Sequence, residues 1–311
     1  MKLDILSEIQ DSSPWHDEDH EHRPITQATE QGVPADELGY GCWRQVEHHG
    51  AEEFSLSSAP ELLLAALSQR TSRIRLGRAA VLAPRESNHP IRIAERAAML
   101  DQLSAGRAEL GLARPVRPDW RLFGADPETV RERTGDAFEA VPKMWTGDMW
   151  CTAGAGALPS AAPSALAGGV QPGVLRGGGL GRSRGAGDDV VGAAGDDGAR
   201  TGPDDRPSGG GLAGDFLRAE AASGSAPSPA ALVIGRILQG ETVPDDEVYQ
   251  ALSEQNSLIV GSPDTCRKNL RAFADLGIDR LMCFQQVGAL PHESVLRSIR
   301  LVGELIPEFD G

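Results

Sequence analysis

Apolar residues follow two different spacings along the chain, and the two spacings alternate. Short apolar runs predict five β-strands, at residues 2–7, 40–46, 73–82, 107–113 and 280–285. Between these runs apolar residues recur every three or four positions, as on the buried face of a helix. In the segment after Pro90, for example, Ile93, Ala97 and Leu100 form one stripe. A regular succession of strands and helices is therefore predicted.

Helix-boundary signals support this division. Ser58 offers an N-cap and Glu61 follows three residues later, which predicts a capping box for the helix that begins near Pro60. A proline also begins the predicted helices at His89-Pro90 and Ser262-Pro263. The last helix is expected to continue through Ile306 and to end at Pro307. Three further helices are predicted to end at glycines: Gly39, Gly106 and Gly277.

Strands that alternate with helices imply parallel pairing through right-handed crossovers. A (β/α)₈ barrel and an open doubly wound sheet both satisfy this pattern. No G-x-G-x-x-G follows the first strand, which lowers the dinucleotide-binding option. About 250 residues suffice for an α/β barrel, and the chain has 311. A single-domain TIM (β/α)₈ barrel is the preferred fold, and it would need three more strands from residues 146–257.

Composition breaks the pattern in the middle of the chain. Residues 151–230 contain 20 of the 37 glycines, lack Ile, Lys, Asn, Tyr, Met and Trp, and have Phe216 as their only aromatic residue. Such a segment lacks the apolar surface needed to offset its ordering entropy. Two interpretations stay open: a disordered linker, or GC-rich DNA translated out of frame. The predicted organisation is residues 1–150 as the first part of the barrel with strands one to four, 151–235 as the low-complexity segment, and 236–311 as the final part.

Charge and cysteine usage exclude several classes of function. The net charge of −15 opposes binding to nucleic acid. No apolar run reaches the length of about 18 residues that a membrane-spanning helix needs, and the first residues do not resemble a secretory signal. The four cysteines form no C-x-x-C pair, which argues against a zinc site and fits a reducing cytoplasm. We expect a cytoplasmic protein without a metal.

Candidate chemistry follows the predicted strands. Glu47, His48 and His49 come after the second strand, and Arg114 comes after the fourth. In a barrel these positions meet at the active-site end. Imidazole suits proton transfer near neutral pH, and guanidinium suits a grip on phosphate. Each signal is weak by itself, because a single His or Arg in a loop is more often solvated or ion-paired.

Several motifs in the same order resemble the bacterial luciferase-like flavin monooxygenases. They are V-E-H-H at 46–49, the run TSRIRLGRAAVLAPRESNHPIRIAERAAMLDQLSAGRAELGLAR at 71–114, and the segment at 256–309. The resemblance covers roughly residues 1–150 and 235–311 and implies the (β/α)₈ barrel. It also implies reduced FMN supplied by a separate flavin reductase, and oxygen activated as a flavin hydroperoxide that oxygenates a small organic substrate.

The resemblance assigns roles to five residues. His48 resembles the catalytic imidazole, and Glu47 its neighbour under the flavin ring. Ala79 and Ala80 fall where the family has an unusual, sometimes cis, peptide against the isoalloxazine. Arg114 resembles the arginine that binds the flavin phosphate. Helices of the family also build a dimer interface, which makes a homodimer compatible with the sequence.

The sequence departs from the family pattern at three places, and alternatives stay open. Pro115 replaces a usual glycine, the turn PRESNHP has extra residues before His-Pro, and strands five to seven are not legible. Arg107 and Asp101 belong to the turn before the fourth strand and are interpreted as structural. The alternatives are a deazaflavin-dependent oxidoreductase of the same superfamily and a non-catalytic flavin-binding relative with an incomplete barrel.

Overall fold

A computed structural model describes residues 1–10, 18–50, 55–114, 122–146, 149–150, 158–159, 232–233, 236, 241–254, 259–288 and 290–309. Apart from two residues at 158–159, the glycine-rich segment 151–230 lies outside this set, and so does Pro115. The chain forms two compact units, Met1–Gly185 with Gly277–Gly311, and Ala186–Leu276. Each unit is described by itself.

In chain order the elements are β1 (Lys2–Ser7), α1 (His22–Leu38), β2 (Cys42–Gln45), α2 (Pro60–Ser68), β3 (Arg75–Leu82), α3 (Pro90–Leu103), β4 (Ala108–Ala113), α4 (Val130–Thr146), β5 (Met149–Trp150), β6 (Leu158–Pro159), α5 (Asp245–Glu254), α6 (Pro263–Asp275), β7 (Arg280–Phe284) and α7 (His292–Gly303). A 3₁₀ turn, Ile306–Glu308, follows α7.

The first unit is built on a parallel sheet of five strands in the order β4-β3-β2-β1-β7. Ile5 lies opposite Trp43 on one side and opposite Cys283 on the other. The last strand thus pairs with the first, as it does where a (β/α)₈ barrel closes. All five predicted strands are confirmed, and the fold class is α/β with a parallel sheet. The two-residue strands β5 and β6 form a separate antiparallel pair.

Helices α3 and α4 cover the outer face of β3 and β4. Val81, Leu110 and Leu112 pack there against Ile93 and Val141, and all five side chains are buried. These helices carry apolar residues at the spacing of one helical face, which is why the sequence predicted them. Their burial fixes the ends of β3 and β4, which carry several of the candidate site residues.

The predicted helix boundaries are partly confirmed. The His89 ring accepts a hydrogen bond from the Ile91 N–H, with Pro90 as the first helical residue. The predicted capping box at Ser58 is wrong: the N-cap of α2 is Ala59, whose methyl side chain cannot accept a hydrogen bond, and the Glu61 carboxylate pairs with arginines. The last helix is also shorter than predicted, since α7 ends at Gly303.

Three glycines end helices as predicted. Gly39, Gly106 and Gly277 have φ of +87°, +85° and +78°, in the left-handed region that a side chain disfavours.

The second unit contains α5 and α6. Ser262 caps α6 with its side-chain oxygen, which accepts from the Thr265 N–H, as the Ser-Pro signal predicts. Val233, Val243 and Ala251 form a small buried cluster in this unit. Within the described part of the whole chain, no helix has both the length and the apolarity to span a membrane.

Candidate active site

The sequence-predicted residues lie at one edge of the parallel sheet. Glu47 and His48 follow β2, the pair Ala79–Ala80 lies in the second half of β3, and Arg114 directly follows β4. The β2–β3 register pairs Gln45 with Arg78, so one step further brings Val46 beside Ala79. Because carboxyl ends of parallel strands meet at the same edge, the structure gathers these residues where α/β barrels carry their active sites.

The Glu47 carboxylate is buried and held by three donors. The Asn88 amide and the His49 ring donate to its Oε1 at 2.7 and 3.2 Å, and an Arg78 nitrogen donates to its Oε2 at 3.1 Å. Burial by itself would raise the pKa of Glu47, but the His49 bond, the Arg78 charge and the Asn88 bond outweigh it and lower the pKa. Glu47 is therefore a fixed, ionised group.

His48 is half-buried beside Glu47. Its backbone N–H donates to the Ser57 carbonyl at 3.0 Å, which fixes the loop that carries the ring. Burial lowers the pKa of His48, the neighbouring His49 lowers it further, and the Glu47 charge opposes both. The imidazole is consequently neutral near neutral pH and able to accept a proton.

Arg78 is a site residue that the sequence did not single out. It is 1% exposed, faces the helices, and pairs with Glu47 and, at 3.3 Å, with Glu61 of α2. Glu61 also pairs with Arg96 of α3 at 2.9 Å. The sequence did contain a signal for Arg78: it is a charged residue on the face of β3 that packs against the helices, and the other residues of that face are apolar. Arg78 ties the Glu47 carboxylate to the helix layer.

Asn88 and His49 are the other contributors to this arrangement. The extra residues of the turn before His-Pro place Asn88 so that its amide donates both to Glu47 and to the Leu82 carbonyl, the latter at 3.1 Å. The His49 ring meets Phe123 edge-on, with centroids 4.9 Å apart. The turn that departs from the family pattern thus supplies a hydrogen bond to the site.

Small residues form the wall next to these groups. The peptide between Ala79 and Ala80 is cis, in agreement with the family pattern. On β4, a Cβ added at Gly111 would lie 2.9 Å from the Arg78 carbonyl oxygen and 3.5 Å from the Ala80 Cβ. The half-exposed alanines and this glycine leave a surface without protruding side chains, which fits a planar ring. Their role in flavin binding stays a prediction.

Arg114 and Glu8 also lie at this edge. The Arg114 side chain is exposed at the end of β4. Glu8 directly follows β1, is 8% exposed, and accepts a hydrogen bond from the Gln10 amide at 3.0 Å. Burial raises the pKa of Glu8 to about 7. The titratable candidates predicted from the sequence follow strands two and four, and the carboxylate after strand one was missed.

The opposite end of the sheet carries a cluster of paired charges, the basal cluster, whose members are Asp4, Arg44, Arg75, Glu109 and Arg280. Arg44 donates to Asp4 at 2.7 Å and to Glu109 at 2.8 Å. A Cβ at Gly77 would lie 3.3 Å from an Arg44 nitrogen, so this glycine makes room for the guanidinium.

Arg107 and Asp101 have structural contacts at that end, as the sequence predicts. The Arg107 guanidinium donates to four backbone carbonyls, those of Ser68, Thr71, Ile74 and Ser104. Asp101 accepts from the Ala108 N–H rather than from Arg107.

Comparison with known proteins gives the family. The sequence model of the luciferase-like monooxygenase family matches residues 1–176. The 4-hydroxyprotoasukamycin monooxygenase of Streptomyces nodosus subsp. asukaensis is 40% identical over 114 residues, which are 36% of this chain and 30% of that protein. The oxygenase component of the flavin-dependent trigonelline monooxygenase of Acinetobacter baylyi is 35% identical over 105 residues, 33% and 28% of the two chains. The alignments span about a third of these relatives' length.

Solved structures share the fold. The monooxygenase RslO1 of Streptomyces bottropensis superposes with a TM-score of 0.65 at 22% identity, covering 99% of this chain and all of the other. The oxygenating constituent of the Pseudomonas putida 3,6-diketocamphane monooxygenase, in complex with FMN, gives 0.62 at 14%, covering 99% of both chains. A coenzyme F420-dependent tetrahydromethanopterin reductase of Methanopyrus kandleri gives 0.51 at 13%, also covering 99% of both. The chain belongs to the luciferase-like monooxygenase family, whose fold is a (β/α)₈ barrel.

Proposed function

We propose that the protein is an FMN-dependent monooxygenase that uses reduced FMN and O₂ to oxygenate a small organic substrate. One oxygen atom enters the substrate, the other leaves as water, and the reduced flavin returns to its oxidised form. The observation that carries the proposal is the grouping of a neutral His48, a fixed Glu47 carboxylate and a wall of small residues at one edge of the sheet.

The described residues fit a flavin. Ala79, Ala80 and Gly111 offer a flat surface to a ring, and Arg114 offers a forked cation to a phosphate at the end of the adjacent strand. Low side-chain volume matters here because an isoalloxazine needs close contact over its whole face. We expect His48 to lie beside the ring and Glu47, which pairs with the helix-facing Arg78, to hold the loop that carries it.

The protein's own groups would control protons and water. His48, kept neutral by burial, is suited to accept a proton from a reacting group and to return it later. Glu47 would orient the histidine loop and hold a fixed negative charge, because three donors fix its carboxylate. The buried carboxylate and its arginine partner also limit the water that reaches this edge.

We further propose that reduced FMN comes from a separate reductase. The trigonelline relative is named as an oxygenase component, which supports a two-component system. Leu62 of α2 and Met99 of α3 are 71% and 68% exposed, and such apolar exposure supports a homodimer through these helices. Hydride transfer by a deazaflavin is the second candidate function, because a structure with the same fold belongs to an F420-dependent reductase.

Removing the arginine tests the cofactor assignment. We expect Arg114→Ala to weaken FMN binding about tenfold to a hundredfold, because charged hydrogen bonds to the phosphate are lost. Riboflavin lacks that phosphate, and its affinity is expected to stay within about twofold. Fluorescence titration of both ligands measures the two affinities. Arg131→Ala, an exposed arginine of α4, is the matched control. Equal weakening of both ligands would contradict the phosphate role of Arg114.

A further inference from the structure

Glu8 lies on the same face and at the same edge of the sheet as His48 and Ala79. Alternate residues of a strand share a face. The Asp4 carboxylate contacts the Arg44 guanidinium across β1 and β2, so even-numbered residues of both strands point to that face. A Cβ at Gly77 of β3 would contact Arg44, which puts odd-numbered residues of β3 there. Continuing these registers by one residue brings Glu8 level with Val46 and Ala79.

The backbone around Glu8 is fixed. The Glu8 carbonyl accepts from the Ser55 hydroxyl at 2.5 Å, and the Ile9 carbonyl accepts from the Leu56 N–H at 3.1 Å. Ile9 has φ of +56°, so the strand ends in a sharp change of direction just after Glu8. The carboxyl is therefore presented at a defined position on the edge.

Gln10 fixes the hydrogen bond that the carboxyl receives. The Gln10 side-chain oxygen accepts from the Gly288 N–H at 2.7 Å, and the Gln10 backbone is tied to the Gln286 amide. With its oxygen engaged, the Gln10 amide directs its nitrogen to Glu8. An uncharged amide donor compensates a carboxylate less than a cation does.

The surroundings of Glu8 and Glu47 differ in kind. On the same face of the sheet, nearer its other end, the charged groups are those of the basal cluster: Asp4, Arg44, Arg75, Glu109 and Arg280, which pair with one another. Glu47 and His48 follow β2, and Arg114 follows β4. The pKa of Glu8 responds to burial first and to the Gln10 bond second, and it lies at about 7. Glu47, with an arginine and two further donors, stays ionised, whereas Glu8 exchanges its proton near neutral pH.

We propose that Glu8 lines the flavin site and that its carboxyl is uncharged when the ring binds. Flavin affinity then falls as Glu8 ionises. The inference rests on the proposed function. A ring seated against this edge removes the remaining water from the carboxyl and makes its ionised form more costly. Above neutral pH, binding therefore takes one proton from the buffer onto Glu8. An anionic reduced flavin adds charge repulsion of the same sign.

Riboflavin titrations at several pH values test the linkage without any turnover. Riboflavin is the probe because its lack of a phosphate removes a second titrating group. We expect the affinity of the full-length protein to fall about tenfold between pH 6 and pH 9, which corresponds to a pKa rise of about one unit on binding. Glu8→Gln keeps the shape but cannot ionise, so its affinity is expected to vary less than about twofold. Glu139→Gln, an exposed carboxylate of α4, is the matched control and is expected to follow the wild type.

The outcomes separate the two proposals. Parallel pH profiles for the wild type and Glu8→Gln would overturn the role of Glu8 and leave the flavin site intact. No binding of riboflavin or FMN at any pH by a cooperatively folding protein would overturn the proposed function and this inference with it. Infrared spectra of the wild type with isotope-labelled glutamate give a second measurement that needs no variant. A protonated-carboxyl band that disappears at about pH 7, and at higher pH with riboflavin, supports the proposal; its absence contradicts it.

Discussion

The two ends of the same parallel sheet treat buried charge in different ways. In the basal cluster Glu109 meets three arginines, whose charges overcome the effect of burial and lower the pKa of its carboxyl. At the opposite edge, burial without a cation raises the pKa of Glu8, and burial lowers the pKa of His48. Burial also raises the pKa of Asp4 in the basal cluster, although the charges of Arg44 and Arg280 oppose it. Three arginines thus keep Glu109 ionised, whereas burial dominates for Asp4 and for Glu8, which has no cation beside it. The number of cations that meet a buried carboxyl therefore distinguishes Glu109 from Glu8 within one sheet.

Breaking the basal cluster is expected to give the largest effect. Arg44→Met removes the arginine that contacts both Asp4 and Glu109 within 2.8 Å and leaves Arg280, at 3.5 and 3.0 Å, as their remaining shared partner. We expect the free energy of unfolding to fall by about 3 kcal/mol. Denaturant unfolding measures the change, with Arg131→Met as an exposed control that is expected to stay within about 0.5 kcal/mol. A loss for Arg44→Met no larger than that of the control would show that the basal cluster does not stabilise the fold.

Removing the imidazole at the opposite edge is expected to change rate rather than stability. His48→Ala should slow the chemical step about a hundredfold or more, because a positioned proton acceptor is lost. Flavin affinity should stay nearly unchanged. Single-turnover kinetics with reduced FMN and O₂, alongside a flavin titration, separate the two quantities. If rate and affinity fall equally, His48 is structural and the two ends of the sheet do not differ in the proposed way.

The pH dependence of the unfolding free energy tests the raised pKa of Glu8. Its folded pKa of about 7 lies above the ordinary glutamate value, so the folded chain keeps a proton that the unfolded chain has released. The stability from Glu8 is full below the unfolded pKa and is lost as the pH rises through about 7. Relative to the wild type, Glu8→Gln should thus gain about 3 kcal/mol of unfolding free energy on going from pH 4 to pH 8. An unchanged difference between the two proteins across this range would place the folded pKa of Glu8 near its ordinary value.

The sequence predicted the strands and helix boundaries that local patterns determine. All five strands of the sheet and most helix boundaries follow from apolar spacing, glycine and proline, because each of these acts within a few residues. The motif V-E-H-H and its resemblance identified Glu47 and His48 as candidates. Their position at one edge of the sheet follows from the parallel topology, which the succession of strands and helices already implied.

Contacts between distant segments could not be predicted in this way. Arg78 and Asn88 reach Glu47 from 31 and 41 residues away. The same partnership removes Glu61 from the expected capping box, because its carboxylate is taken by Arg78 and Arg96. Glu8 owes its raised pKa to burial by neighbouring strands, and burial depends on the assembled sheet. A single sequence contains no pattern that encodes such partners.

The most direct measurement is an anaerobic titration of the purified full-length protein with reduced FMN, followed by the admission of oxygen. The proposed function predicts saturable binding and then a transient absorbance that differs from both reduced and oxidised FMN and decays as substrate is oxygenated. The same transient should decay more slowly in His48→Ala. Absence of binding, or flavin reoxidation at the rate of free FMN without a transient, would contradict the account of this edge of the sheet as a monooxygenase active site.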